Sequence, residues 1–365
     1  MRPTYLEVNL SQLKKNLEAI RAQVSPAKVM PMIKANAYGH GVDGVAPFIE
    51  PYVDYLGVAI VEEGIHLREL GIRKPILVAG GAIPEQVPLF AEYDLTLTGS
   101  SVELLERAEE VSRATGERIR THLKIDTGME RVGAREYEAE ALILKASAYR
   151  HIIVEGIYTH LANSELVDRT YSNLQLERFQ EVLDVYQRHS LSIPPLRHVC
   201  NSGGILNLPG AYFDMVRPGV LFYGVYPGEE VDRCVEVKPA LTWRSQVAYS
   251  KRTRPGRPIS YGSLWQSETE TGIVTIPCGY ADGYFRRMTN RAQVLINQKR
   301  YPQVGRICMD QFMVNVGDDQ VNVGEEVILL GAGITAEELA LWMGTNEYEV
   351  MTNISTRVPR VYVNE

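Results

Sequence analysis

Short apolar runs and amphipathic stretches alternate along the first 220 residues of the chain. The apolar runs predict eight strands, at 29–34, 55–61, 75–80, 95–99, 119–126, 152–160, 196–201 and 212–217. Recurrence of apolar positions with the helical period predicts helices between them, at 11–23, 61–70, 102–115, 135–149 and 172–189. In the first of these helices, Ser11 is the predicted N-cap.

This alternation indicates a fold class. Near-continuous apolar strands between amphipathic helices are typical of a parallel sheet that helices cover. Eight such units predict a (β/α)8 barrel of the TIM type. An open doubly wound sheet is the alternative, which the lack of a Gly-rich dinucleotide turn disfavours.

After about residue 235 the pattern changes to short strands divided by Gly, Pro, Asn and Asp turns. We predict strands at 240–250, 272–277, 293–296, 313–316 and 326–330, and one helix at 335–343. The chain is therefore expected to have an α/β barrel domain over 1–235 and a mainly β domain over 236–365. The first residues could also join the second domain.

Composition narrows the possible partners. A net charge of −7 and a pI of 5.7 argue against nucleic acid or an anionic membrane as the main partner. No apolar run reaches the roughly 18 residues that a membrane span needs, and no signal-peptide pattern opens the chain. The four cysteines have no metal-ligand spacing, so we expect reduced thiols, no metal and a cytoplasmic protein.

Lys34 is the first candidate for chemistry. It ends the first apolar run, and the loop that follows it is rich in small residues and carries Tyr38. A partly desolvated amine has a lowered pKa and adds readily to an aldehyde such as that of pyridoxal phosphate. A lysine that extends from a strand end into solvent is the alternative for this segment alone.

Other polar residues also fall at the predicted strand ends. Barrel active sites lie at the carboxyl ends of the strands, so chemically active residues are expected there. These positions hold Lys34, Lys124, Asp126, His160, Asn201, Ser202 and Arg217. Any one of them could be structural, but the recurrence of polar residues at the ends of most strands favours an active site.

Two loops are candidates for binding phosphate. Barrels often bind phosphate after their seventh and eighth strands through backbone N–H groups and small hydroxyls. The two loops here contain Asn201 with Ser202, and Gly219 with Val220. Each could be an ordinary glycine turn. A Schiff-base lysine facing such loops matches the dimensions of pyridoxal phosphate.

Six ordered motifs resemble those of the alanine racemase family, over essentially the whole chain. They read KANAYGHG at 34–41, DTGM at 126–129, VRPG at 216–219, ISYG at 259–262, CGYADGY at 278–284 and GRICMD at 305–310. The resemblance implies a pyridoxal 5'-phosphate enzyme that interconverts L- and D-alanine, a peptidoglycan precursor. It also implies a homodimer in which the subunits share active sites.

The resemblance further implies two catalytic bases. Lys34 would hold the cofactor and act on one face of the substrate, and Tyr261 of the partner subunit would act on the other face. Arg217 would face the pyridine nitrogen, where a guanidinium can only donate, and this should limit transamination. The implied cofactor-binding residues are Lys34, Tyr38, His160, Asn201, Ser202, Arg217, Gly219 and Val220.

The remaining implied residues bind or support the substrate. Arg131 and the backbone N–H of Met309 would hold its carboxylate, and Lys124 matches a lysine that is often carbamylated in relatives. Asp310, Tyr280 and Arg306 are expected to support the site. One departure is Thr356, where relatives often have a tyrosine at the entrance. Another is Glu130, whose carboxylate could compete for Arg131.

Several other functions remain as alternatives. A broad-specificity amino-acid racemase of the same family is the main alternative, because the motifs do not fix the size of the pocket. A decarboxylase is disfavoured by Arg217, where a glutamate would be expected. A non-catalytic pyridoxal phosphate carrier is disfavoured by the additional β domain. A hydrolase lacks any supporting triad pattern.

Overall fold

The computed structural model describes residues 2–364. The chain divides into two compact units. One unit contains residues 13–37 and 42–237, and the other contains residues 2–12, 38–41 and 238–364. None of the helices in the described residues is both long and apolar enough to cross a membrane.

The first unit is a parallel α/β barrel, as the periodicity predicted. Its eight strands are Lys28–Val29, Leu56–Val58, Ile76–Val78, Leu97–Gly99, Arg120–Asp126, Ile153–Tyr158, Leu196–His198 and Met215–Val216. Neighbouring strands run parallel, and the eighth pairs with the first through Met215 with Lys28. A short strand, Ala134–Arg135, lies beside the fifth.

Helices precede or follow the barrel strands and bury their apolar faces. They are Leu10–Val24, Val42–Ile49, Val61–Glu69, Val87–Glu92, Val102–Thr115, Ala139–Ala148, Thr170–Arg188 and Ser202–Asn207. Two of them, Val42–Ile49 and Val87–Glu92, were not predicted, because each is short and contains a proline. The prediction that Ser11 caps the first helix was wrong. This helix begins one residue earlier, at Leu10, and Asn9 Oδ1 accepts a hydrogen bond from Gln12 N at 2.8 Å.

The strands are shorter than the apolar runs that predicted them. The run at 29–34 forms Lys28–Val29 and then only an isolated bridge at Met32. Pro31 separates these two pieces, and a proline has no N–H group to donate to a ladder. Apolar residues beyond the strand ends are buried instead in loops, as Ile33 is.

Alternation along the fifth strand directs polar side chains into the barrel unit. Arg120–Asp126 buries His122, Lys124 and Asp126 at every second position. Since successive side chains of a strand point to opposite faces, these three share one face. The His122 ring lies 5.5 Å from that of Tyr55, and Lys124 Nζ lies 5.2 Å from the Tyr158 ring. Both tyrosines belong to an apolar cluster that also contains Met30, Leu77, Leu196 and Met215.

The second unit is mainly β. Its nine strands pair in the order Tyr249–Thr253, Thr271–Ile276, Phe312–Gly317, Lys299–Val304, Gln293–Ile296, Glu326–Leu330, Leu241–Gln246, Tyr5–Asn9 and Arg360–Val363. Its helices are Ala336–Met343 and Glu347–Thr352. The predicted single strand at 240–250 was wrong: it breaks after Gln246, and its two halves pair with different neighbours.

Candidate active site

Lys34 begins a left-handed turn of the backbone. The next four residues, Ala35 to Tyr38, all have positive φ angles between 50° and 54°. None of them is glycine, although the left-handed conformation costs an L-residue roughly 1–2 kcal/mol. Strain of this kind persists only where surrounding contacts enforce it, and it is concentrated at functional sites.

Side-chain acceptors hold the turn in place. Glu63 accepts a hydrogen bond from the Ala35 N–H at 2.6 Å, and Asn36 Oδ1 accepts from the Val42 N–H at 2.8 Å. Glu63 also accepts from Ala59 N at 2.8 Å, so one carboxylate links two loops. The direction of the Lys34 side chain is therefore set by a rigid turn.

The Lys34 amine lies in a cationic environment. Burial lowers its pKa, and Arg131 lowers it further, while Glu63 opposes the shift. A lowered pKa leaves a larger neutral fraction of the amine at neutral pH. Neutral amine is the form that attacks an aldehyde or accepts a proton.

Arg217 is buried, and both of its terminal nitrogens have hydrogen-bond partners. Its guanidinium donates to His198 Nδ1 at 2.8 Å and to the carbonyl oxygens of Thr159 and Val199 at 2.8 and 2.9 Å. His160 Nδ1 lies 3.2 Å from the same group. Burial lowers the pKa of Arg217 to about 10, so it remains a cation at neutral pH.

His160 and Lys124 lie beside these cations, and the pKa of each is lowered. Burial lowers the pKa of His160 well below its ordinary value, and Arg217, Lys124, Arg131 and Lys34 all act in the same direction. Burial also lowers the pKa of Lys124 to about 7, assisted by Arg217. Lys124 Nζ donates to Ile125 O at 2.9 Å. The sequence-predicted residues Lys34, Lys124, Arg131, His160 and Arg217 are thus brought together.

Asp126 organises the loop that carries Arg131. Its carboxylate accepts four backbone N–H groups, from Gly128, Met129, Glu130 and Arg131, at 2.8–3.1 Å. Burial alone would raise the pKa of Asp126, but these four bonds hold it below its usual value. Glu130 pairs with Arg135 at 3.2 Å.

Ser202 joins the two predicted phosphate loops. Its hydroxyl oxygen accepts from the backbone N–H of Gly219 at 2.9 Å and of Leu221 at 3.3 Å. Asn201 caps the helix that follows it, accepting from Gly204 N at 3.0 Å. Gly203 is needed for packing, because a Cβ there would lie 2.7 Å from Ser164 Oγ. Val220 begins the 3-10 turn Val220–Tyr223.

The other predicted residues belong to the second unit, which also contains Tyr38. Burial raises the pKa of Tyr38 to about 12, and its ring lies 6.1 Å from that of Tyr348. Tyr261 is 70% exposed. It borders a cavity of about 450 Å³ whose lining includes Tyr280, Arg306 and Cys308.

Backbone contacts fix the loop that carries Met309. Tyr280 N donates to Cys308 O at 3.1 Å, and Ala281 N donates to Met309 O at 3.0 Å. The close contact between these two backbone segments requires Gly279, since a Cβ there would lie 2.3 Å from Met309 O. Arg357 binds Asp310 at 2.8 Å at the end of the loop.

Sequence reasoning missed His122 and His198. His198 binds Arg217 directly, and His122 Nδ1 lies 2.8 Å from His198 Nε2. One signal was available for His122, because it precedes Lys124 by two residues and so lies on the same face of the strand.

The residues present fit an anionic aldehyde cofactor. They supply an amine with a lowered pKa, a group of cations and, at Arg217, a donor whose partners among residues 2–364 are imidazole nitrogens and carbonyl oxygens. Together with a parallel barrel and a separate β unit, this set defines a pyridoxal phosphate enzyme of the barrel type.

Comparison with known proteins identifies the family. Family models for the alanine racemase N-terminal and C-terminal domains match residues 8–227 and 240–362. An alanine racemase of Carboxydothermus hydrogenoformans is 44% identical over the full length of both chains. The chain belongs to the alanine racemase family.

Solved structures of alanine racemases have the same fold as this chain. Alanine racemase of Clostridium difficile 630 is 38% identical with a TM-score of 0.95, covering 100% of this chain and 97% of that one. Alanine racemase of Bartonella henselae, solved with covalently bound pyridoxal phosphate, is 26% identical with a TM-score of 0.91 over the whole of both chains.

Proposed function

We propose that this protein interconverts L-alanine and D-alanine with pyridoxal 5'-phosphate, using Lys34 and Tyr261 of the partner subunit as its two bases. Membership of the alanine racemase family supports the reaction and the cofactor. The observation that carries the assignment of Lys34 is its strained turn within a group of cations. The broad-specificity alternative is not favoured, since the full-length relatives are named alanine racemases.

The cofactor and the two bases divide the chemistry between them. When bound, pyridoxal phosphate withdraws electrons from the amino acid and so weakens the bond to its α-proton. Lys34 holds the cofactor covalently and, once released by substrate, moves the proton at one face. Tyr261 serves the opposite face, because a single base returns the proton to the side from which it came.

A partner subunit is required for Tyr261 to act in this way. We propose a homodimer in which each barrel receives the phenol of its neighbour. The high exposure of Tyr261 and the adjacent cavity support this assignment. Tyr280 and Arg306, which line the same cavity, and Asp310, which anchors the adjoining loop, support the tyrosine and Met309.

The remaining roles follow from charge and hydrogen-bonding capacity. Tyr38, Asn201, Ser202, Gly219 and Val220 hold the phosphate through hydroxyl, amide and backbone groups. His160 would contact the cofactor ring, and Arg217 would donate to its nitrogen without being able to accept a proton. Arg131 and the Met309 N–H bind the substrate carboxylate, which leaves the amino group free for reaction.

Lys124 carries a carbamate in this proposal. Because the pKa of Lys124 is lowered to about 7, much of the amine is neutral at physiological pH and can add carbon dioxide. The product is an anion next to Arg131, which it orients toward the substrate. The negative charge of the carbamate also reduces the electrostatic repulsion among the cationic side chains around it.

We further propose a cytoplasmic location. All four cysteines are free thiols, as expected in a reducing compartment. The experiment that tests the proposed function is a chiral assay of the purified protein over a panel of L-amino acids. Formation of D-alanine well above every other product supports the proposal, and no racemisation of alanine contradicts it.

A further inference from the structure

The carboxylate of Glu63 connects the backbone beyond the first barrel strand to the backbone beyond the second. Its Oε1 accepts a hydrogen bond from Ala35 N at 2.6 Å, and its Oε2 accepts from Ala59 N at 2.8 Å. Ala35 directly follows Lys34, and Ala59 directly follows the strand Leu56–Val58. All of these residues belong to the barrel unit.

The two N–H groups that this carboxylate binds are the next donors of an interrupted ladder. Gly57 N donates to Pro31 O at 3.1 Å, and Ile33 N donates to Gly57 O at 2.8 Å. In a parallel ladder the donors recur at every second residue of each strand, so the next two would be Ala59 N and Ala35 N. The carboxylate therefore takes the place of two backbone acceptors.

The backbone oxygens that would continue the ladder bind other partners. Ile33 O accepts from Ala37 N at 3.0 Å, and Ala59 O accepts from Gly80 N at 3.1 Å. A carboxylate has two oxygens that accept, so Glu63 can bind both orphaned N–H groups at once. A side-chain amide cannot do this, because one of its two ends only donates.

The helix Val61–Glu69 holds the Glu63 side chain in place. Its Oε2 also lies 3.4 Å from Ile60 N, directly before the first residue of the helix. The carboxylate thus joins a helix start to the first residue of the left-handed turn, Ala35. Because strain of this kind persists only where contacts enforce it, this bond is a cause of the turn that follows Lys34.

The charge of Glu63 has an effect on the amine that can be separated from this geometry. Burial lowers the pKa of Lys34, Arg131 lowers it further and Glu63 raises it. His160, whose own pKa Lys34 lowers, also lies near the amine. Loss of the Glu63 charge alone would therefore enlarge the neutral fraction of the amine and speed its reaction with an aldehyde, whereas loss of the turn would slow it.

We propose that Glu63 is a positioning residue for Lys34: its two oxygens replace the missing backbone acceptors, hold the left-handed turn and so fix the direction of the amine. This inference rests on the proposed function, in which Lys34 holds the cofactor covalently. Glu63 acts through the backbone of Ala35 and has no chemical step of its own.

The first test measures hydrogen exchange at the two bound amides in the full-length protein with its cofactor. Glu63→Ala removes both acceptors, so exchange at Ala35 and at Ala59 should each become about tenfold faster, the effect expected of one hydrogen bond to a charged group. Glu63→Gln leaves one acceptor, so only one of the two amides should lose protection. Mass spectrometry with fragmentation of the exchanged peptides gives both rates.

Glu62 provides the matched control. It precedes Glu63 in the first turn of the same helix and is exposed. Glu62→Ala and Glu62→Gln should leave both exchange rates at the wild-type value, because they remove a similar charge from the same turn.

The second test measures the rate at which the amine takes up the cofactor. Pyridoxal 5'-phosphate is added to full-length protein from which it has been removed, and borohydride traps the covalent product at intervals. At neutral pH, Glu63→Gln should slow attachment about tenfold, because a misdirected amine meets the aldehyde less often. This direction is opposite to the effect of the lost charge, and Glu62→Gln should react at the wild-type rate.

A background without the amine distinguishes positioning from a general structural role. Lys34→Ala binds the cofactor without a covalent link, so adding Glu63→Gln should change the dissociation constant by less than about twofold. A general structural role would weaken cofactor binding in this background as well, and that result would overturn the inference.

Glu63→Asp keeps the test decisive if the other variants do not fold. It retains the charge and both oxygens on a side chain that is one methylene shorter, so it should slow attachment without the pKa change that loss of charge brings. Attachment at the wild-type rate in folded Glu63 variants would overturn the inference, whatever their exchange rates. Wild-type protein whose cofactor is not attached to Lys34 would instead contradict the proposed function, and hydrogen exchange would still decide whether Glu63 holds the turn.

Discussion

Lys124 illustrates how a residue acquires its chemistry from its neighbours. On a protein surface its amine would stay protonated, but here burial lowers its pKa to about 7 and nearby arginines act in the same direction. Lys145 makes the contrast clear, because a hydrogen bond from its amine to Glu106 raises its pKa. The same residue type therefore has a partly neutral amine at one position and a protonated amine at the other.

This difference predicts a pH-dependent modification. With ¹³C-bicarbonate present, a carbamate signal should grow as the pH rises through about 7, because only the neutral amine of Lys124 adds carbon dioxide. Lys124→Ala should abolish the signal, and Lys145→Ala should retain it. A signal that is present equally in both variants would rule out Lys124 as its source.

In the proposed function, covalent attachment of the cofactor depends on Lys34. After borohydride reduction, mass spectrometry should find the cofactor on the peptide that contains Lys34, and Lys34→Ala should retain none. Racemisation by that variant should fall by at least about 1000-fold, since both the attachment and a base are lost. Lys28→Ala, which removes an exposed lysine from the same strand region, should remain labelled and active.

At the scale of elements, the left-handed turn after Lys34 should be sensitive to branching at Cβ. We expect Ala35→Val to lower the free energy of unfolding by about 1–2 kcal/mol, because a β-branched residue fits this conformation poorly. Ala35→Gly should be much milder, since glycine accepts positive φ without strain. Urea unfolding measures both variants.

Ala141 provides the matched control for the turn. It is exposed in the right-handed helix Ala139–Ala148, where a change to valine should cost only about 0.5–0.7 kcal/mol. Equal losses at positions 35 and 141 would show that the turn tolerates a branched side chain. A loss of activity confined to Ala35→Val would link the turn to the position of Lys34.

At the scale of the whole molecule, shared sites predict complementation between inactive subunits. Lys34→Ala and Tyr261→Ala should each be inactive, but a mixed dimer contains one site with both bases. Random exchange of equal amounts makes half the dimers mixed, so about a quarter of wild-type activity should return. The measurement is alanine racemisation after subunit exchange.

The control for Tyr261 is another exposed tyrosine of the same unit. Tyr249, on the strand Tyr249–Thr253, is 57% exposed, and Tyr249→Ala should keep its activity without any partner. No recovery in mixed dimers that are verified by mass would contradict a tyrosine supplied by the neighbour.

The sequence by itself determined the order of elements and singled out Lys34 as the candidate amine. Periodicity marked eight barrel strands and the change to β structure, because alternation and helical spacing are local properties of the chain. It also placed Lys34 and Arg217 at strand ends, where barrels hold their chemistry. Errors were local as well: Pro31 shortened the first strand, and Asn9 rather than Ser11 capped the first helix.

Only the tertiary structure decided how these residues act. The hydrogen bond between His122 and His198 joins residues 76 positions apart, and no short-range pattern records such a pairing. The lowered pKa of Lys124 likewise comes from burial and from arginines that lie elsewhere in the chain. Periodicity reports which face of an element is buried, but charge, tautomer and backbone strain depend on what packs against that face.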